Sequence, residues 1–490
     1  MEIGCVPIVL QPPYLGALKS WLYAGLFLMF TPSPLTIRLP MVFLTFASIV
    51  LLVLIWAPRI GRPYVILLFV ILCTDTISIF HARIDWGPYA IANFFKVAAV
   101  CAAITWVETK RPSMLALAGL SMVLGLYDKL NFIWVICALS GALLLIYGRE
   151  VFTALKQSFA SRLILLMSLA AITGLVLVFA LATGDFRQAS SQFDLVSQVT
   201  RVWNLVALTL NEGPFGFVFR TPWSGFRLAS IVFTWGLIVG WLLVLMLPML
   251  RRRLGREDQV AVNVAYAAFL TLVLSFLYVL MVLTKETSGT HHTIVVSLLW
   301  PLQVILCGVA LVSLAGRFAP SLNDVARLPV VIAAAAIIVH NVGAAVALHR
   351  ALDRGVYGNA NFSPALYRLV KFVDAHPGVT VVSVDWGIHN GLMSLAELGT
   401  QWRFRDLWPT FTDIGKGKAS PLTPAIILGK NGRTMFVMRP EAISTFKESL
   451  IGFETALKPG CEHSGSLIRD KHGSAIFLAV VLPNSCLRDQ

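Results

Sequence analysis

Long apolar runs alternate with short polar segments over the first 350 residues of the chain. A run of roughly 20 apolar residues is long enough to cross the hydrocarbon core of a bilayer as a helix. The pattern therefore predicts about ten transmembrane helices, of which the one at 113–127 is short. Their predicted positions are 39–57, 64–80, 89–107, 113–127, 132–148, 162–183, 226–249, 260–284, 293–316 and 328–349. Residues 14–30 predict one further helix, lying at the membrane interface.

From about residue 350 onward, short β-branched runs alternate with amphipathic segments. This alternation of strands and helices is typical of a small α/β domain. The strands are predicted at 379–384, 425–428, 434–438 and 475–482, and the helices at 364–375 and 441–457. The chain is thus predicted to be an α-helical multi-pass membrane protein with two domains. Residues 1–349 form the transmembrane helical domain and residues 350–490 the C-terminal α/β domain.

The composition agrees with a membrane protein, with 57% hydrophobic residues, 13% charged residues and a mean hydropathy of +0.78. A net charge of +14 would point to nucleic acid in a soluble protein. Here the basic residues cluster between the apolar runs, most densely at 251–256. That distribution is typical of a topology signal, so no nucleic-acid partner is expected.

Lysine and arginine collect in alternate loops, as the positive-inside rule requires of cytoplasmic loops. The rich loops contain Arg59 and Arg62; Lys110 and Arg111; Arg149, Lys156 and Arg162; Arg251 to Arg256; and Arg317 with Arg327. This alternation predicts that the N-terminus and the domain after His349 are extracytoplasmic. In such an oxidising compartment Cys461 and Cys486 could pair, or remain as two free thiols.

The densest polar segment between the apolar runs is His81 to Pro88, with the sequence His-Ala-Arg-Ile-Asp-Trp-Gly-Pro. Charged and histidine residues are expensive at the mouth of a bundle and are therefore candidates for function. The predicted topology brings several of them to the outer side: Glu2 and Lys19; His81, Arg83 and Asp85; Asp128 and Lys129; Lys285, Glu286, His291 and His292. Such a set suits a phosphate-bearing lipid, with a carboxylate as the base for an incoming hydroxyl.

Simpler interpretations remain open for several of these residues. Asp85 could have the purely structural role of capping a turn before Pro88, and Asp128 could pair with Lys129 in a tight hairpin. The His291–His292 pair could anchor a helix at the interface. Adjacent histidines point to different faces of a helix, and no residue set has metal-ligand spacing, so no cofactor is expected. A divalent metal beside Asp85 is the open alternative.

Two polar features fall inside predicted spans. Lys96 lies about two turns into its helix, with Asn93 on the same helical face. Snorkelling of the lysine side chain to the interface is the favoured interpretation. His340 and Asn341 interrupt another span, which favours interhelical hydrogen bonding. Asp385-Trp386-Gly387 follows a strand and predicts a turn.

Several short strings resemble bacterial membrane glycosyltransferases of the GT-C superfamily, which are related to protein O-mannosyltransferases and to the lipid A aminoarabinose transferase. The resemblance covers most of residues 11–310. It is carried by residues 11–19 (Gln-Pro-Pro-Tyr-Leu-Gly-Ala-Leu-Lys), Arg38-Leu39-Pro40, residues 83–88 (Arg-Ile-Asp-Trp-Gly-Pro) and His291-His292 ahead of Pro301.

The resemblance implies transfer of a sugar from a polyprenyl-phosphate donor to a lipid, glycan or protein acceptor on the outer face of the bacterial inner membrane. It implies that basic residues stabilise the departing phosphate and that an acid of the first outer loop deprotonates the acceptor. The catalytic candidates are then Asp85 and Glu2. The residues expected to bind substrate are His81, Arg83, Lys129, Lys285, His291 and His292.

The chain departs from that family in one respect, because the expected acid should follow a first transmembrane helix that precedes this sequence. A start codon placed too late, or a truncated relative, is the expected explanation. The alternatives from other classes are a transporter or flippase for a lipid-linked glycan and a non-catalytic assembly protein.

Overall fold

The computed structural model describes residues 2–3, 6–10, 15–31, 33–84, 89–183, 200, 210, 228–283, 294–354, 363–395, 403–418, 432–461 and 465–487. The described chain forms two compact units that divide between Val346 and Ala347. The first unit is almost entirely helical, and the second contains a five-stranded sheet.

Helices occupy all ten predicted transmembrane positions. In the first unit the helices are α1 (Leu18–Phe27), α2 (Pro34–Ile60), α3 (Arg62–Thr74), α4 (Thr76–Ile84), α5 (Tyr89–Thr109), α6 (Pro112–Asp128), α7 (Ile133–Gln157), α8 (Phe159–Thr183), α9 (Leu228–Leu254), α10 (Gln259–Leu283), α11 (Leu299–Phe318) and α12 (Asn323–Asp353). Within the described residues, eight helical segments are long and apolar enough to cross a membrane. The bent pair of α3 and α4 makes a ninth, and α6 is apolar but shorter. The chain is a multi-pass α-helical membrane protein.

One predicted span, 64–80, is broken into α3 and α4 by a bend of 45°. Asp75 lies at the bend in an extended conformation (φ −62°, ψ 102°). Its Oδ2 accepts a hydrogen bond from the backbone N–H of Ser78 at 3.2 Å and another from the Ser78 hydroxyl. This is the hydrogen bond of a helix N-cap, so the carboxylate ends one helix and begins the next. The interfacial helix predicted at 14–30 is also shorter, since α1 covers only Leu18–Phe27.

The helix ends that carry the basic loops are cross-linked to one another. Arg59 forms an ion pair with Glu108, which also accepts a hydrogen bond from the Tyr266 hydroxyl. Arg256 forms an ion pair with Glu150. These contacts join α2 with α5 and α10, and α7 with the segment after α9, at one end of the bundle. The basic set therefore lies at one end, and its assignment to the cytoplasm stays a prediction.

Near the N-terminus, the first unit contains a short antiparallel pair of strands, β1 (Glu2–Ile3) and β2 (Val6–Pro7). The second unit is an α/β domain whose five strands, β3 to β7, have the order β4-β3-β5-β7-β6 in the sheet. The strands β3 (Thr380–Ser383), β4 (Phe404–Asp406) and β5 (Arg433–Met438) are parallel, and β6 (Ser466–Arg469) and β7 (Ala475–Pro483) add antiparallel pairs. Apolar residues of α13 (Ala365–Asp374) and α14 (Ile388–Leu395) pack in one core cluster, and those of α15 (Trp408–Gly415) and α16 (Lys447–Thr455) in another. The C-terminal α/β domain is thus confirmed, whereas its extracytoplasmic location stays a prediction.

The secondary structure of this domain was predicted in part. The strands β3, β5 and β7 match three predicted strands, and the fourth, at 425–428, lies outside the described residues. The helix predicted at 441–457 is wrong at its start, because α16 begins only at Lys447. Ser444 is extended (ψ 141°), since the backbone N–H of Thr445 donates to Asp385 Oδ2 at 3.2 Å instead of to a helical carbonyl.

Cys461 and Cys486 form a disulfide with a Cα–Cα distance of 5.7 Å. This bond decides between the two states that the sequence left open. A cross-link between residues 25 positions apart restricts the unfolded chain, which stabilises the fold by about 3 kcal/mol.

We expect Cys461→Ser to lower the free energy of unfolding of the C-terminal domain by about that amount, 2–4 kcal/mol. Urea unfolding of the detergent-purified protein, followed by pulse proteolysis, measures this change. Cys73→Ser is the matched control because Cys73 is an exposed free thiol. Equal midpoints for the two variants would show that the bond contributes nothing.

Candidate functional site

Lys96 is fully enclosed in the helical unit, with 1% of its surface exposed. Its ammonium group donates hydrogen bonds to Asn93 Oδ1 at 2.7 Å and to the Ser297 carbonyl oxygen at 2.7 Å. The predicted snorkelling is therefore wrong. Asn93 supplies an acceptor one turn earlier on the same helical face, and Ser297 supplies a second one from a distant segment. These two oxygens hold the ammonium group inside the bundle.

Lys129 is the second buried ammonium group of this region. It follows the last residue of α6 in an extended conformation (φ −156°, ψ 129°). Its Nζ donates to the Tyr89 hydroxyl at 3.0 Å and lies 4.6 Å from the centroid of the Tyr89 ring. The His81 ring is buried, and its centroid lies 5.6 Å from that of Tyr89. Tyr89 thus links two residues that the sequence proposed for substrate binding.

Both lysines line one small cleft in the helical unit. Its polar lining consists of Tyr89, Asn93, Lys96, Lys129 and Asn131, and its apolar lining includes Phe132 and Val295. An ammonium group surrounded by protein attracts an anion more strongly than one in water, because the effective dielectric constant is lower. The charges of the two lysines at this cleft therefore favour an anionic group that offers several oxygen acceptors, such as a phosphate.

Asp128 is completely buried, at 0% exposure. Neither of its carboxylate oxygens accepts a hydrogen bond from the described residues. The charges of Lys19 and Lys129 act on it electrostatically, but it makes no direct pair with Lys129. A buried carboxylate without hydrogen bonds is costly, so Asp128 is a candidate for a functional role.

The segment around Gly16 packs against the turn that contains Asp128. The Gly16 N–H donates to the Asp128 carbonyl oxygen at 3.3 Å, and Leu15 pairs with Lys129 in a β-bridge. A Cβ atom on Gly16 would lie 1.7 Å from the Tyr127 carbonyl oxygen, so only glycine allows this approach. Leu15 and Gly16 therefore pack against the backbone of the turn that contains Asp128.

A second polar set lies around the bend between α3 and α4. Asp75 is 2% exposed, and the charges of Lys96 and His340 act on its carboxylate. The Asn341 side-chain amide of α12 donates to the Ile71 carbonyl oxygen of α3 at 3.5 Å, which confirms the predicted interhelical hydrogen bonding, and the Thr76 hydroxyl donates to the Asn341 carbonyl oxygen at 2.9 Å. Asp75 was not among the sequence candidates because it lies within an apolar run. A single acid inside a predicted span was the signal that could have identified it.

The remaining predicted site residues are not brought to the cleft by the described structure. Asp85, Lys285, His291 and His292 lie outside the described residues, as does the side chain of Glu2. Arg83 is exposed near the end of α4. Within the described part of the chain, no group of three His, Cys, Asp or Glu side chains could hold a metal ion.

Comparison with solved structures finds similar chains, one of which is a membrane protein of comparable length. The crystal structure of ArnT from Cupriavidus metallidurans in the apo state is similar to this chain at 14% sequence identity, with a TM-score of 0.45. The similarity covers 98% of this chain and 88% of that chain. No family model and no curated protein sequence matches the chain. The function of the chain therefore has to be inferred from the residues that line its cleft.

Proposed function

We propose that this chain is a membrane glycosyltransferase that takes a sugar from a polyprenyl-phosphate donor and transfers it to a lipid, glycan or protein acceptor. The observation that carries the proposal is the pair of buried ammonium groups, Lys96 and Lys129, on the wall of one cleft. A polyprenyl-phosphate sugar combines a lipid tail with a single charged phosphate. The lipid tail lies in the bilayer, and the negatively charged phosphate can bind the two positively charged lysines.

The same two lysines would act on the leaving group. In the transfer, the bond between the sugar C1 and the phosphate oxygen breaks while the acceptor oxygen bonds to C1. Negative charge develops on the departing phosphate, and cations already in place stabilise it at little reorganisation cost. The Tyr89 hydroxyl and the Asn131 amide can add hydrogen bonds to the same oxygens.

The acceptor hydroxyl must lose its proton as it attacks, and a carboxylate is the usual base. The sequence proposes Asp85 and Glu2 for this role. The structure adds Asp128 as a third candidate, because its carboxylate oxygens are buried and accept no hydrogen bond from the described residues. Arg83, Lys285, His291 and His292 remain proposed as further phosphate-binding residues, beside His81.

We place the reaction on the extracytoplasmic face of the bacterial inner membrane. Two observations support this side. The basic loops meet at one end of the bundle, as cytoplasmic loops do. The Cys461–Cys486 disulfide in the C-terminal domain is a bond typical of an oxidising compartment.

One observation favours the second candidate, a transporter or flippase for a lipid-linked glycan. Transporters often contain broken membrane helices with ionisable groups at the break. The bend between α3 and α4 places Asp75 in the electrostatic range of both Lys96 and His340. The same polar set is compatible with a fixed phosphate site.

The test of the proposed function follows a labelled sugar. Membranes containing the protein are incubated with polyprenyl phosphates that carry labelled sugars, and the label is traced after lipid extraction. A glycosyltransferase moves the label to a new lipid, glycan or protein product. A flippase leaves the labelled lipid intact and changes only its accessibility from the two faces, which would contradict the proposal.

We expect Asp128→Asn or Asp85→Asn to lower the transfer rate by 10²-fold or more if that residue is the base, a loss typical of general-base removal. Expression and membrane insertion should be unchanged, since asparagine has nearly the same shape. Asp374→Asn, at an exposed position of α13, is the matched control. Unchanged transfer would exclude that residue as the base.

A further inference from the structure

The exposed face of α9 leads to the arginines at the end of this helix. Leu242, Leu245 and Met249 are large apolar residues that the rest of the protein leaves exposed. Their spacing of three and four residues places them on one face of the helix, and Arg252 continues that face. Arg252 and Arg253 are both exposed. In a membrane helix, an apolar face that ends in cations suits a lipid whose chains lie along the face and whose phosphate lies at its end.

The preceding residue, Arg251, contacts the neighbouring helix α7 instead. It is half-buried, and its Nη1 donates to the Ile146 carbonyl oxygen at 2.6 Å. Its guanidinium carbon lies 5.7 Å from the centroid of the Tyr147 ring. The backbone of α7 is kinked at Tyr147, where it is non-helical (φ −121°, ψ 18°). A side chain that bonds to a backbone carbonyl of a helix is one cause of such kinks, so Arg251 joins the end of α9 to the kink of α7.

Three polar atoms beside this kink are enclosed by protein and have no hydrogen-bond partner among the described residues. They are Arg251 Nε, the Tyr147 hydroxyl oxygen and Glu150 Oε2. Tyr147 as a whole is 7% exposed. Enclosed polar groups without partners are costly and call for an explanation. The first two groups can donate, so the oxygen atoms of an anion would satisfy both of them.

The carboxylates of this region leave the arginines at the end of α9 unpaired. Glu150 forms its ion pair with Arg256, and Asp258 accepts a backbone hydrogen bond at the start of α10. Glu257 is exposed. Within the part of the chain that the structure describes, Arg251 and the two arginines after it form no ion pair. Three positive charges are therefore free to bind an anion from outside the protein.

We propose that the contact between Arg251 and Tyr147, together with Arg252 and Arg253, binds the headgroup of an anionic phospholipid. The phosphate oxygens accept hydrogen bonds from the guanidinium groups and from the Tyr147 hydroxyl. The glycerol hydroxyls of a phosphatidylglycerol headgroup can also donate to Glu150 Oε2. This binding is independent of the two cleft lysines and of the proposed sugar transfer.

The surroundings of the contact favour a lipid over a soluble anion. A soluble phosphate would use only the cations, whereas a phospholipid also covers the exposed apolar face of α9. The basic loops meet at this end of the bundle. On the predicted topology this end faces the cytoplasmic leaflet, whose negative surface potential comes from anionic lipids.

The experiment titrates the detergent-purified full-length protein with phosphatidylglycerol or with the zwitterionic phosphatidylcholine, and native mass spectrometry counts the bound lipids. We expect the wild type to bind phosphatidylglycerol at least about tenfold more tightly than phosphatidylcholine. The triple variant Arg251→Gln, Arg252→Gln and Arg253→Gln should lose that preference. Its matched control removes the same number of charges from exposed positions of other basic loops and should bind within about twofold of the wild type: Arg62→Gln, Arg111→Gln and Arg317→Gln.

A second variant, Tyr147→Phe, tests the contact without any change of charge. We expect it to weaken the binding of phosphatidylglycerol by roughly threefold to tenfold, the effect of one lost hydrogen bond to a charged group, and to leave phosphatidylcholine binding unchanged. Each variant is first checked for a monodisperse size-exclusion profile. If the triple arginine variant does not fold, Tyr147→Phe still tests the proposal.

Four results would overturn the proposal. Equal binding of the two lipids by the wild type would leave the arginines with the role of a topology signal only. An equal loss in the control triple variant would mean that net charge attracts the lipid, not this contact. Wild-type affinity in Tyr147→Phe would place the headgroup elsewhere. Displacement of phosphatidylglycerol by millimolar inorganic phosphate would indicate a site for a soluble anion.

Discussion

Replacing Lys96 and Lys129 together with glutamine is expected to lower the affinity for polyprenyl phosphate by at least about 100-fold. A hydrogen bond to a charged group contributes about 1.5–3 kcal/mol, so the loss of two such bonds to the phosphate corresponds to that factor. Glutamine keeps an N–H donor for the Ser297 carbonyl oxygen and for the Tyr89 hydroxyl, and it removes only the charge. Titration of the purified protein in nanodiscs with polyprenyl phosphate measures the affinity.

The control for this variant is Lys110→Gln. Lys110 lies in one of the basic loops, where its side chain donates to the Val107 carbonyl oxygen of its own helix. This substitution changes the net charge of the protein in the same direction as each single lysine variant, and we expect no change in affinity. If the double variant bound within about threefold of the wild type, the two buried lysines could not be the phosphate site.

Arg439→Leu is expected to destabilise the C-terminal domain by about 3–5 kcal/mol. Arg439 and Asp385 are 1% and 0% exposed and form an ion pair with a distance of 2.9 Å between Nη1 and Oδ2. The arginine also donates to the Trp386 carbonyl oxygen at 2.8 Å and to the Thr445 hydroxyl at 3.1 Å. Removing the cation leaves a carboxylate buried without its opposite charge, which is the main part of the cost.

Denaturant unfolding of Arg439→Leu, Asp385→Asn and the double variant forms a cycle that measures the coupling. We expect the double variant to be more stable than the sum of the single losses predicts, because no uncompensated charge remains in it. Arg433→Leu, at the exposed first residue of β5, is the control. Additive losses would show that the pair is not energetically coupled.

The sequence was sufficient to locate the membrane helices. A helix in the bilayer needs apolar side chains both where it faces lipid and where it faces the bundle core, so it appears in the sequence as a long apolar run. The break at Asp75 was missed because it depends on one N-cap hydrogen bond within an apolar run. The strands β4 and β6 were missed for a different reason. Both lie at the edges of the sheet and pair on one side only, so short sequences with little alternation are enough to form them.

The cleft was predicted less completely than the fold. Lys129 and His81 were candidates from sequence because they border long apolar runs. The burial of Lys96 could not be derived in this way, since one of its acceptors is the Ser297 carbonyl oxygen, 201 positions later in the chain. The burial of Asp128 likewise depends on a segment that is distant in sequence, because the residues around Gly16 pack on its turn.

The broken helix also limits how the bundle can move. Next to the bend, the Asn341 side-chain amide of α12 lies 3.5 Å from the Ile71 carbonyl oxygen, and the Thr76 hydroxyl donates to the Asn341 backbone. Separation of α12 from the bend would leave polar groups facing hydrocarbon, at a cost of several kcal/mol each. We therefore expect the bend and the part of α12 around Asn341 to move together when the bundle changes shape.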